Sequence, residues 1–101
     1  MILVRDVFSL KFGKAKDVKA LLKEMKDIAP KDSLINTRIL FDLVGPAYTM
    51  VMESSFENLT AYESEMAGMM STEEWRQWYI KFSTHMEKSY REIFTIFEGA
   101  K

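Results

Sequence analysis

The 101 residues contain no cysteine, two prolines, four glycines and one histidine. Without cysteine there is no disulfide framework, no thiolate nucleophile and no Cys-ligated metal. One histidine cannot build a metal site without neighbouring ligands, and no H-x-x-H or H-E-x-x-H spacing occurs, so no metal is expected. No cofactor is expected either: there is no Gly-rich phosphate loop, and no nucleophile elbow or Ser-His-Asp order is present. A net charge of −1 lacks the basic stripe that nucleic acid demands. No apolar run approaches the roughly 20 residues of a membrane span. The opening MILVRDVF reads as strand, without the basic and apolar regions of a secretory leader. A cytoplasmic protein is expected, with neither nucleic acid nor membrane among its partners.

What the chain has is apolar residues, 48% of the total with 13% aromatic, enough for one well-filled domain spanning residues 1–101. Strand patterns cover 2–10, 34–44, 47–54 and 89–98, and helical patterns cover 14–29, 56–70 and 72–88. The order β-α-β-β-α-α-β predicts an α+β, ferredoxin-like fold with a four-stranded antiparallel sheet and all helices on one side. Val18, Leu21, Leu22, Met25 and Ile28 give the first helix its apolar stripe. Pro30 stops it, Asp32-Ser33 make a turn, and Gly45-Pro46 marks a hairpin. Ser54 or Ser55 is expected to open the second helix, and Ser71 the third, each with a Glu at capping-box distance.

Helices cover only one face of such a sheet, yet both faces read as apolar. Strand one shows Ile2, Val4, Phe8 and Leu10 on one side, Leu3 and Val7 on the other. Strand four shows Ile93 and Phe97 against Tyr90, Phe94 and Ile96. A second copy of the chain is the natural cover, which predicts a homodimer packed through the sheet face. Charge is also uneven: residues 11–31 carry seven lysines and three acids, whereas 53–74 carry six glutamates and no base. These read first as solvated helix faces, and second as a steering field or complementarity between subunits.

The stretch FENLTAYESEMAGMMSTEEW, residues 56–75, and the opening SLKFGK, residues 9–14, resemble the NIPSNAP family. There a strand ends in Leu-Lys-x-Gly-Lys and an acidic turn followed by Trp opens the last helix. The resemblance implies a dimeric α+β barrel. The family's Glu-x-Arg on strand one is Val4-Arg5-Asp6 here, so contacts attributed to that Glu or Arg do not carry over. The same superfamily holds antibiotic-biosynthesis-type and quinol-type monooxygenases without cofactor, and haem-degrading monooxygenases. In the haem-degrading branch an Asn on strand one, a Trp on the second helix and a later His act together. Asp6 falls at the Asn position and Tyr62 near the Trp position, but no His lies near Thr72, which disfavours haem.

Asp6 interrupts the apolar face Ile2-Val4-Asp6-Phe8-Leu10, and a carboxylate facing a core is costly unless paired or protonated. It reads either as an ion-pair partner of Arg38, Arg91 or a second subunit, or as a general base in an apolar pocket. As a base it would take a proton from an activated phenol, as the resemblance to monooxygenases implies, with Tyr62 and His85 as the other catalytic candidates. His85 reads equally as a packed or surface residue on the aromatic face of Trp75, Trp78 and Phe82. Glu63/Glu65 and Glu73-Glu74 read as a solvated face and a helix start.

Phe8, Tyr48, Met50, Met52, Met66, Trp75, Trp78 and Phe82 are the candidate ligand-binding residues, since Met and aromatic side chains can line an adaptable apolar pocket. The same residues also read as an ordinary Met-rich core. Three functions follow: binding of a small apolar or aromatic molecule, cofactor-independent monooxygenase or isomerase chemistry, or assembly alone.

Overall fold

The computed structural model describes residues 1–29 and 36–98. Its elements run β1 (Ile2–Leu10), α1 (Ala15–Ile28), β2 (Thr37–Phe41), β3 (Thr49–Phe56), α2 (Leu59–Met70), α3 (Glu73–Ser83) and β4 (Met86–Thr95). The four strands form one antiparallel sheet in the order β2-β3-β1-β4, the ferredoxin-like arrangement expected from the element order. Pro30, the Asp32-Ser33 turn, the first two residues of the expected 34–44 strand and the 99–101 tail lie outside the described residues.

Even-numbered residues of β1 and β3 face the helices. Leu10 and Met50 pack with Val18, Leu21, Leu22 and Met25 of α1 and with Trp78 and Phe82 of α3. Met50 is fully buried, and Phe8 meets Phe82 edge to face at 5.2 Å between centroids. The anchor of α3 is Trp78: it is 5% exposed, stacks on Phe82 at 4.8 Å, and its indole Nε1 donates to the Leu21 carbonyl at 2.7 Å. A single bond thus ties α3 to α1 inside the core, where an unmet indole donor would be costly.

Several boundaries differ from the sequence expectation for identifiable reasons. Ser54 and Ser55 belong to β3, where Ser54 pairs with Val4 and Thr37 and its hydroxyl meets that of Thr37 at 2.8 Å. The cap of α2 is Asn58, whose side chain accepts from the Ala61 amide, and the cap of α3 is Thr72, which accepts from the Trp75 amide. Both are cap formers one to four residues beyond the serines. Residues 42–48 form the β2–β3 connection, so Leu43 and Val44 are exposed there. Asp42 closes its base by accepting from the Thr49 amide at 2.9 Å, and Tyr48 takes a positive φ of 59°. At the other end α3 stops at Ser83, because Met86 already pairs with Leu10 of β1. Phe82, His85 and Met86 satisfy helical spacing and strand alternation alike, and long-range pairing decides between them.

The sheet face turned away from the helices departs from its expected apolar character. Arg38, Glu53, Arg5 and Glu92 stand in register across β2, β3, β1 and β4. Arg38 reaches Glu53 Oε1 at 2.6 Å, Arg5 reaches Glu53 Oε2 at 3.3 Å, and Arg5 donates to Glu92 at 2.8 Å. One side of this row is apolar, Leu40-Val51-Val7-Tyr90, and the other brings Leu3 beside Phe94.

Candidate functional site

Between α2, α3 and the sheet lies a cavity of about 710 Å³. Val4, Phe8, Met52, Met66, Trp75 and Trp78 are among its apolar walls. β1 contributes Asp6, β4 contributes Arg91, and α2 contributes Tyr62, Glu63 and Glu65. The volume lies in the range of small-molecule pockets, and a few polar groups on a mainly apolar lining is their usual make-up.

The polar groups converge. Asp6 and Arg91 are cross-strand partners on β1 and β4, and Arg91 Nε donates to Asp6 Oδ1 at 2.6 Å. The carbon at the centre of the guanidinium stands 5.7 Å from the centroid of the Tyr62 ring, which also packs against Phe56 at 5.2 Å. Cross-strand pairing gives Arg91 its place beside Asp6, and the helical stripe Tyr62, Met66, Met69 gives Tyr62 its place above the sheet. Burial acts to lower the Arg91 pKa, but the hydrogen bond and charge of Asp6 raise it above its ordinary value, so Arg91 stays cationic. Burial pushes the Tyr62 phenol up; Arg91 pulls it partly back, and Asp6 and Glu63 add to the rise. Burial likewise raises the Glu65 carboxyl. The cavity wall therefore offers a protonated phenol and the terminal nitrogens of a guanidinium whose Nε already serves Asp6.

Of the residues singled out from sequence, Asp6, Tyr62, Phe8, Met52, Met66, Trp75 and Trp78 line this cavity. Met50 and Phe82 lie in the core beneath it. Tyr48 sits in the β2–β3 connection against Phe12, with ring centroids 5.2 Å apart. His85 stands in the α3–β4 turn, not on the aromatic helix face, and its carbonyl accepts from the Lys11 amide at 2.8 Å. It does not line the cavity. Arg91, which the sequence offers only as a possible partner of Asp6, also lines the cavity. Among the described residues no group of three or more His, Asp or Glu side chains is placed to hold a metal ion, and no helix is long and apolar enough to cross a membrane.

No protein-family model matches the chain, and no curated protein matches it by sequence. Solved structures match it over nearly its whole length. A NIPSNAP family protein from Agrobacterium tumefaciens is 18% identical with a TM-score of 0.85, over 96% of this chain and 88% of that one. A NIPSNAP-like domain protein from Burkholderia xenovorans is 15% identical with a TM-score of 0.80, over 98% and 89%. SnoaB, a cofactor-independent oxygenase from Streptomyces nogalater, is 9% identical with a TM-score of 0.71, over 97% and 94%. At these identities the likeness is one of fold, the fold that the resemblance in sequence implies.

Proposed function

We propose that the chain works as a homodimer joined through its outer sheet face, and that each subunit takes a small apolar or aromatic molecule into the cavity between α2, α3 and the sheet. The cavity of about 710 Å³, lined by Trp, Met and Phe with one polar cluster, carries this reading. A site filled by its own side chains, as assembly alone would allow, would leave no such space. Asp6, Glu63 and Glu65 outnumber Arg91 among the lining charges, which disfavours an anionic ligand. Its oxygen would accept from Arg91 and from the Tyr62 hydroxyl, while the ring lies among Trp75, Met66 and Met52. The site is tested by titrating the protein with naphthols and naphthoquinones while following tryptophan fluorescence. Saturable quenching that weakens in Arg91→Gln is expected. Only linear, unsaturating quenching across the panel overturns it. Assembly is tested by light scattering at micromolar concentration, where about twice the 11.8 kDa chain mass is expected and a monomer overturns the dimer.

A second reading, cofactor-independent monooxygenase or isomerase chemistry, draws support from one observation: a carboxylate and a phenol meet around one guanidinium inside that same cavity. In it Asp6 takes the proton of an activated phenol, Tyr62 donates to the substrate oxygen, and Arg91 stabilises the oxyanion that forms. The fold shared with SnoaB points the same way. Oxygen uptake with 1,4-dihydroxynaphthalene, above its uncatalysed rate and abolished in Asp6→Asn, is the expected result. Uptake at the uncatalysed rate overturns this reading and leaves ligand binding standing. His85 lies outside the cavity lining and has no part in this step.

A further inference from the structure

The charged row on the outer sheet face is an unusual thing to leave at the centre of a surface with apolar neighbours on both sides. Glu53 is 8% exposed even in the single chain, and it is held between Arg38 and Arg5. Read across the sheet in the order β2-β3-β1-β4, the row is plus, minus, plus, minus. Its middle falls between β3 and β1, which is also the middle of the sheet.

Such a row has a symmetry consequence. When two copies of one sheet stack face to face, the two-fold axis lies between them, in the plane of the sheets. An axis running along the strands, through the β3–β1 centre, turns the partner's row end for end. Every plus then stands over a minus: Arg38 opposite the partner's Glu92, and Glu53 opposite the partner's Arg5. An axis running across the strands, along the row, leaves the row in its own order. It sets Arg38 over the partner's Arg38 and Glu53 over the partner's Glu53. Stacked sheets lie about 10 Å apart with interdigitating side chains, a span that opposed Arg and Glu side chains bridge. Like charges brought together on a desolvated face are strongly unfavourable, and opposite ones set register and orientation.

We infer that the occupant of this face is a second copy of the chain, and that the row Arg38-Glu53-Arg5-Glu92 selects the dimer whose two-fold axis runs along the strands between β3 and β1. The inference rests on the dimer proposed above and adds its orientation. The apolar row Leu40-Val51-Val7-Tyr90 on one side and the Leu3–Phe94 pair on the other supply area, and the charge row chooses among the ways that area can be buried. Each carboxylate then meets arginines from both chains, and each arginine carboxylates from both. The row stays neutral when water leaves.

The test inverts the whole row in one variant, Arg38→Glu, Glu53→Arg, Arg5→Glu and Glu92→Arg. Every pair within the chain is kept, because each partner changes sign together. The inverted row is again self-complementary under the same axis. The variant should therefore form its own dimer, yet refuse the wild type. Wild-type and inverted chains, one carrying a mass tag, are unfolded, mixed, refolded and weighed by native mass spectrometry. Two homodimers, with heterodimer at no more than about a tenth of the total, is the expected result. A statistical mixture overturns the inference and leaves the dimer intact. Heterodimer as the main species, with poor homodimers, also overturns it, since that follows from the axis across the strands. A monomeric wild type overturns both the inference and the dimer beneath it.

If the fourfold variant does not fold, Arg38→Glu and Glu92→Arg are made in separate chains. Each alone should weaken its homodimer about tenfold by setting like charges face to face. Mixing the two should restore the dimer, although both broken pairs within the chains remain broken. Mixing without recovery overturns the inference.

Discussion

Arg91 Nε and Asp6 Oδ1 lie 2.6 Å apart across the β1–β4 ladder, on the face that looks into the cavity. The bond settles what would otherwise be a costly carboxylate on an apolar strand face, and it leaves the terminal nitrogens of Arg91 free of Asp6. A lysine would carry the charge but not the fork, which in the proposed site would serve Asp6 and a ligand together. Arg91→Lys should fold normally and weaken ligand binding about tenfold in the fluorescence titration. The Arg91 side chain is half exposed, so a double-mutant cycle of Asp6→Asn and Arg91→Gln should return a coupling of about 0.5–1 kcal/mol. A coupling near zero would mean that the pair does not hold in solution.

The two tryptophans of α3 should separate stability from binding. Trp78 is buried, bonded to Leu21 and stacked on Phe82, whereas Trp75 is half-buried and lines the cavity. Sequence position favours Trp75 as the anchor, because it follows the acidic cap; the helical turn puts Trp78 deeper instead. Trp78→Ala should cost about 3–5 kcal/mol in denaturant unfolding, and Trp75→Ala roughly half as much or less. Trp75→Ala should in turn have the larger effect on ligand affinity. Equal losses of stability would contradict the deeper burial of Trp78.

Much of this architecture is readable from local pattern, and the exceptions share a cause. The apolar alternation of β1 and the stripe of α1 each lie within one segment, so their elements follow from the residues alone. Asp6 stands out for the same reason, as one charge in an apolar alternation. The Arg38-Glu53-Arg5-Glu92 row does not stand out, because it is built from four strands and exists only once their register is set. Read singly, Arg5 and Glu92 are ordinary polar interruptions. The role of Arg91 is hidden likewise, since its partner is 85 residues away. His85 misleads because its spacing from Phe82 fits a helix, while pairing of Met86 with Leu10 ends that helix two residues earlier.

Glu53 gives a third prediction. It is buried, accepts a charge-assisted hydrogen bond from Arg38 at 2.7 Å and forms an ion pair with Arg5 at 3.3 Å. Glu53→Gln keeps the shape, removes the negative charge and leaves two arginines facing one another across β3. Arg38 is largely exposed in the single chain, and in the proposed dimer it keeps the partner's Glu92, which limits the loss. A destabilisation of about 1.5–3 kcal/mol is expected in urea unfolding, the usual value for a hydrogen bond to a charged group. It should shrink when Arg5→Gln is added, because the second change removes one of the unpaired cations. Additive losses would show that Arg5 and Glu53 act independently.

The pH dependence of Tyr62 follows from its surroundings. Burial is the largest influence on the phenol and pushes it up, against a smaller downward pull from Arg91. In the unfolded chain the same phenol titrates near about 10. The native state therefore holds its proton at pH values where the unfolded chain has begun to release it. The sign follows from linkage: this contribution to stability is fully present below the unfolded value and is lost as pH rises through the folded one. Replacing Tyr62 with Phe removes the titrating group and keeps the ring packed on Phe56. The variant should thus lose this part of the alkaline decline in stability. Its ultraviolet titration should lack the tyrosinate component that ionises above the ordinary range. Among the four tyrosines only that component should disappear, and a variant titrating like the wild type at high pH would show that Tyr62 is not the buried phenol.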